Sequence, residues 1–154
     1  MPAVLLTGMA GVGKSTVLAE IERRGIRTID TDYGDWMRLD DHGERQWREA
    51  AIAGLLDEPG DLVFAGTVPN QVLFYDRLVG VVLLTVPVEV ALARIDARTN
   101  NDFGKRPEDR AAVEQHFPEV EPLLREGATL VLDGQRPVEE SADAIVALLR
   151  GSGS

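Results

Sequence analysis

The chain has 154 residues, 44% of them apolar, and 26 acidic against 16 basic side chains, for a formal charge of −10. That length suits one domain with one core, and an acidic chain without a basic block argues against extended nucleic-acid or anionic-membrane partners. With no cysteine there is no disulfide and no thiolate site, and the longest apolar stretch, around Val79–Val88, is too short to cross a bilayer.

Five short apolar runs alternate with helix-like patterns. The first, Ala3–Thr7, follows an N-terminus without the basic region of a signal peptide, so the chain reads as a soluble cytoplasmic domain. A helix with Val17, Leu18 and Ile21 on one face comes next, and Gly25 is placed to stop it. Arg27–Asp30 is the second strand and Asp61–Ala65 the third. Between them, Trp47, Ala51 and Leu55 share helical spacing, which predicts core packing for Trp47. The fourth strand, Gly80–Val86, is a continuous β-branched and Leu run, as expected when both faces are covered. Pro87 then opens a helix with Val88, Leu92 and Ile95 as its apolar stripe, and Arg94 and Arg98 one turn apart on another face. Pro107–Glu126 reads as an acidic, solvated helix and Ala128–Leu132 as the fifth strand. The last helix starts near Pro137, with Val138, Ala142, Ile145 and Leu149 at helical spacing. This alternation predicts an α/β three-layer sandwich with five parallel strands in the order 2-3-1-4-5. One domain spans residues 1–150, and residues 151–154 (GSGS) read as a linker tail.

Gly8-Met9-Ala10-Gly11-Val12-Gly13-Lys14-Ser15 fits G-x-x-x-x-G-K-[ST], with a strand before it and a helix after it. Glycines let backbone N–H groups curl around phosphate oxygens, and the helix adds its positive N-terminal end. Lys14 would reach the β- and γ-phosphates, and the Ser15 hydroxyl would ligate Mg²⁺. The expected cofactors are therefore ATP and Mg²⁺. Neither lysine, Lys14 or Lys105, follows an asparagine, which disfavours a guanine-specific GTPase. Length argues against motor or AAA-type modules. The third strand ends Ala65-Gly66 without the acid many P-loop NTPases use to hold Mg²⁺. The second strand offers one instead, since alternation sends Asp30 and Asp32 to one side at the carboxyl edge of the sheet.

Four segments resemble the shikimate kinase and gluconate kinase branch of the small P-loop kinases, within the adenylate-kinase-like fold. They are the P-loop GMAGVGKST, through Thr16; the D-T-D at Asp30–Asp32; the helix PVEVALARIDART; and Arg98-Thr99 followed after six residues by Arg106-Pro107. The resemblance implies that Asp30 orients Mg²⁺ through water and that Asp32 faces the acceptor hydroxyl as base or anchor. It implies that Arg98 and Arg106 close over the phosphates in a lid around residues 99–107, with Gly104 and Lys105 inside it. Arg136, after the fifth strand, stands where related kinases place a loop against adenine. The departures concern the acceptor. Glu108 and Asp109 follow the lid where two leucines are usual, Gly66-Thr67-Val68 replaces a run of three glycines, and Arg48 alone offers a counterpart to the carboxylate-binding arginine. These departures argue against shikimate itself.

Residues 33–49 follow Asp32 directly and form the expected acceptor region, with Tyr33, Trp36, Arg38, His42 and Arg48. Asn70 and Gln71 lie just past the third strand, where either a helix cap by Asn70 or a substrate contact fits. His42 and His116 have no ligand-spaced partner. The expected activity is ATP- and Mg²⁺-dependent transfer of the γ-phosphoryl group to a hydroxyl of a small metabolite. The alternatives are a nucleoside or nucleotide kinase, a nucleotide-binding regulatory protein without turnover and, more weakly, a polynucleotide end kinase. The expected partners are a nucleotide and a small-molecule acceptor, with no nucleic acid and no membrane, and the chain acts as a monomer or homodimer.

Overall fold

The computed structural model describes residues 2–9, 11–97 and 107–151. Five strands form one parallel sheet: β1 (Ala3–Thr7), β2 (Arg27–Asp30), β5 (Leu62–Ala65), β6 (Gly80–Thr85) and β7 (Leu130–Asp133). Their order in space is β2-β5-β1-β6-β7, which is 2-3-1-4-5 when only the strands of this sheet are counted. Register is set by pairs such as Val4 with Val63 and Leu6 with Val82.

Alternation along β1 explains its unbroken apolar sequence. Val4 and Leu6 join a core with Val17, Leu18 and Ile21 of α1 (Lys14–Arg23) and with Ala142, Ile145 and Leu149 of α5 (Val138–Gly151). Ala91, Leu92 and Ile95 of α3 (Val88–Ala97) and Phe117 of α4 (Pro107–Gly127) complete that core. Ala3 and Leu5 point the other way, into a second core with Trp47, Ile52, Leu55, Phe64 and Phe74. Helices therefore cover both faces, and a strand covered on both faces has no polar positions to offer. Gly25, at φ 85°, ends α1 as expected. Gly151 closes α5, so the helix runs one residue into the expected linker tail.

The segment after β2 differs from the sequence expectation. Met37–Leu39 (β3) and Arg45–Trp47 (β4) form an antiparallel hairpin, and α2 begins only at Glu49 (Glu49–Leu56). Trp47 is fully buried as expected, but from a strand and not from a helix. Its ring packs 5.5 Å from Phe64 and 5.9 Å from Phe74. A 3₁₀ helix over Pro69–Arg77 follows β5 and packs against β4.

Candidate active site

The site is built on the carboxyl ends of β1, β2 and β5. After Thr7 the chain turns through Gly8, whose position admits no side chain: a Cβ there would lie 2.4 Å from the Leu84 carbonyl oxygen. Gly11, at φ 85°, backs onto α3, where a Cβ would meet the Ala91 carbonyl oxygen at 2.5 Å. Gly13 caps α1 without any side-chain hydrogen bond. The first N–H groups of that helix are thus left without a capping side chain, the arrangement that receives a phosphate. Val12 is buried, Met9 packs against the core, and Ser15 and Thr16 are exposed in the first turn of α1. Ala10 lies outside the described residues.

Lys14 reaches across the turn. Its ammonium donates to the Gly8 carbonyl and, at 3.2 Å, to the Thr67 hydroxyl. Thr67 links the P-loop to the end of β5. Its hydroxyl donates to Gly8 O at 2.7 Å, accepts from Gly8 N at 3.2 Å and lies 3.1 Å from the Thr7 hydroxyl. Thr67 lies two residues past the end of β5, a strand that ends without an acid, and in the sequence only its departure from a glycine run marks it.

Asp30 ends β2 half-buried, and Asp32 is exposed two residues on. Between them Thr31 points inward, donating to Ala65 O at 2.7 Å and accepting from the Trp47 indole at 3.0 Å. The chain turns here, with the Tyr33 N–H donating to Asp30 O at 3.1 Å and the Asp32 N–H donating to Asp30 Oδ1 at 3.1 Å. Burial holds the Asp30 carboxyl above the ordinary aspartate range. The charge of Asp32 adds to the rise, while the Asp32 N–H and the nearby Lys14 ammonium oppose it. Among the described residues no group of three His, Cys, Asp or Glu side chains could hold a metal alone. A Mg²⁺ bound through one hydroxyl, one water-bridged carboxylate and phosphate oxygens needs no such group, so Ser15 and Asp30 fit it.

The other expected residues divide. Arg136 is exposed, ion-paired to Glu140 at 3.0 Å, and lines a cavity of about 420 Å³ with Gly11, Thr16 and Gly134. Arg98, Arg106 and Lys105, with the expected lid apart from Pro107, lie outside the described residues. Arg48 donates to Asp35 O at 2.6 Å and pairs with the Asp35 carboxylate at 3.1 Å. Arg38 and His42 are exposed, Trp36 packs against the second core, and the side chain of His116 is outside the described residues. Asn70 does not cap the 3₁₀ helix. Its amide grips β4 instead, accepting from Trp47 N at 2.9 Å and donating to Trp47 O at 3.0 Å. Gln71 is the residue that caps, accepting from Val68 N at 3.0 Å while donating to Thr7 and to the Tyr75 hydroxyl. Arg94 also comes into the site, donating to backbone carbonyls of the P-loop and of the turn after β7. Its place one turn before Arg98 was the only sequence signal for it.

Residues 4–116 match the family described as AAA domain. That overturns the length argument against AAA-type modules, since the matched unit is shorter than this chain. A shikimate kinase from Aromatoleum aromaticum is 31% identical over 150 residues, covering 86% of this chain and 85% of that protein. Among solved structures, shikimate kinase from Acinetobacter baumannii in complex with shikimate superposes with a TM-score of 0.71 at 21% identity, covering 99% of this chain and 94% of that one. A gluconokinase from Sinorhizobium meliloti 1021 gives 0.67 at 21%, covering 97% and 91%. Among the described residues no helix is long and apolar enough to cross a membrane. By the P-loop geometry and these matches, the chain belongs to the family described as AAA domain and to the shikimate kinase family, and it is an ATP-dependent phosphotransferase.

Proposed function

We propose that the protein transfers the γ-phosphoryl group of ATP to a hydroxyl of a small, uncharged metabolite, with Mg²⁺ as cofactor. The observation that carries this reading is the meeting of Lys14, Thr67 and the Asp30–Asp32 pair at one sheet edge, beside an uncapped helix N-terminus. Phosphoryl transfer needs positioning and charge neutralisation more than covalent chemistry, and these groups can supply both. Lys14 leaves its Gly8 and Thr67 partners for the β- and γ-phosphates. Asp32, exposed at the edge, faces the acceptor hydroxyl and takes its proton. Ser15 and, through water, Asp30 would hold Mg²⁺, which would supply positive charge to neutralise the phosphates. The P-loop from Gly8 through Thr16 cradles the phosphates, and Arg136 borders the base. Arg98 and Arg106 complete a lid over about residues 99–107 of one domain spanning residues 1–150, excluding water from the transfer.

Two features support a neutral acceptor. Arg48, the counterpart of a carboxylate-binding arginine, is engaged by Asp35 through two contacts. Thr67 puts a bonded hydroxyl where related kinases carry glycine. Purified protein with Mg-ATP, screened against sugars, polyols, nucleosides, nucleotides and anionic metabolites by ADP release, tests the reading. Turnover with a neutral hydroxyl compound is expected. Preference for nucleosides or nucleotides would make it a nucleoside or nucleotide kinase. ATP binding with no ADP release above background across the panel would leave a regulatory protein and overturn the proposal.

A further inference from the structure

The phosphate chemistry above makes no use of Arg94, a half-buried residue of α3. Its guanidinium forks between two loops. Nη1 donates to Val12 O in the P-loop at 2.9 Å, and Nη2 donates to Gly134 O in the turn between β7 and α5 at 2.8 Å. Val12, Gly134 and Arg94 all line the cavity of about 420 Å³ that Arg136 borders. The seam between the loops is tight, since a Cβ on Gly134 would lie 2.5 Å from Val12 O. A guanidinium suits this seam because it is a planar fork of donors with no acceptor, able to satisfy two carbonyls in fixed directions. An ammonium is a point charge and cannot hold both with the same geometry.

The P-loop has other supports. Gly8 is fixed by Thr67, and Gly11 sits against the Ala91 backbone. The turn carrying Gly134 and Arg136 is joined to the P-loop through the Arg94 fork. We propose that Arg94 is a positioning residue that sets the register between the phosphate-binding loop and the base-side turn, so that the site selects a nucleoside triphosphate over a bare triphosphate. This rests on the reading of the P-loop as a nucleotide site. Arg94 acts through protein carbonyls and takes no part in the transfer itself.

Equilibrium titration of the full chain with Mg-ATP, and separately with inorganic tripolyphosphate, tests this in the wild type, Arg94→Lys and Arg94→Ala. In both variants ATP affinity should fall about tenfold or more, while tripolyphosphate affinity falls less than about threefold. General damage to the P-loop would lower both affinities together. Equal losses for the two ligands, or wild-type ATP affinity in Arg94→Lys, overturn the inference and leave the nucleotide-site reading standing. Should Arg94→Ala lose its cooperative melt, Arg94→Lys, which keeps the charge and most of the stem, carries the comparison. A wild type that binds neither ligand fails the nucleotide-site reading and takes this inference with it.

Discussion

Around the P-loop, glycines are pressed against neighbouring backbone, Gly8 under the Leu84 carbonyl and Gly11 under the Ala91 carbonyl, and side chains of Lys14, Thr67 and Arg94 add bonds to that packing. Across the sheet edge, the β3–β4 hairpin is held by side chains. Asn70 clips the backbone of β4, the Trp47 indole bonds Thr31, and Asp40 closes the turn by accepting from the N–H groups of His42 and Glu44. The hairpin side is also the more open, with Tyr33 and Leu39 each 67% exposed. Backbone contacts at van der Waals limits tolerate almost no substitution, so the nucleotide side is confined to one motif. Side-chain clips can be exchanged one at a time, which leaves the acceptor side free to diverge from relatives that share the P-loop.

Three experiments would break or sharpen that contrast. Lys14→Ala should have the largest effect, lowering the catalysed rate by about 10³-fold or more with the cooperative melt intact. Retained turnover would remove Lys14 from the chemistry. An intermediate effect is expected from Asn70→Ala, which leaves the Trp47 N–H and C=O without their partner. The loss should be about 1–3 kcal/mol in denaturant unfolding, with faster amide exchange in the hairpin and unchanged exchange in α1. Uniform acceleration across both regions would show that the hairpin is not a separately held unit.

The smallest effect concerns pH. Hydrogen bonds from Gln46, Glu44 and His42 hold the Asp40 carboxyl below the usual aspartate range. A depressed folded-state pKa means that the stabilising contribution is present above the unfolded value and is lost as pH falls through the folded one. Hairpin amides should therefore exchange faster than chemistry alone predicts as the pH drops below the ordinary aspartate range, and Asp40→Asn should flatten that dependence. An unchanged profile in the variant would take Asp40 out of the hairpin's stability.

The strands β1, β5, β6 and β7 were legible as short apolar runs, and the helices α1, α3 and α5 by their apolar stripes. The hairpin was not. Its strands are three residues each, too short for alternation to show, and Trp47 lies near enough to α2 to share helical spacing with Ala51 and Leu55. The cap weighed for Asn70 was supplied by Gln71 for a related reason. Both residue types can cap, and what decided was β4 lying beside Asn70, across 23 residues of chain.

The P-loop could be read from the sequence because its glycines, lysine and hydroxyl fall between Gly8 and Ser15, so strand, turn and helix alone bring them together. Asp30 was readable as the end of β2, whereas Asp32 lies past the strand in a turn closed by Tyr33 N on Asp30 O, where a two-residue period no longer applies. Thr67 on Gly8 and Arg94 on Val12 are separated by 59 and 82 residues. Contacts at that distance have no local pattern, because they exist only after β5 and α3 have packed beside β1. The phosphate-binding motif was thus written locally, while the register between the P-loop and the turn after β7 and the shape of the hairpin side followed from packing.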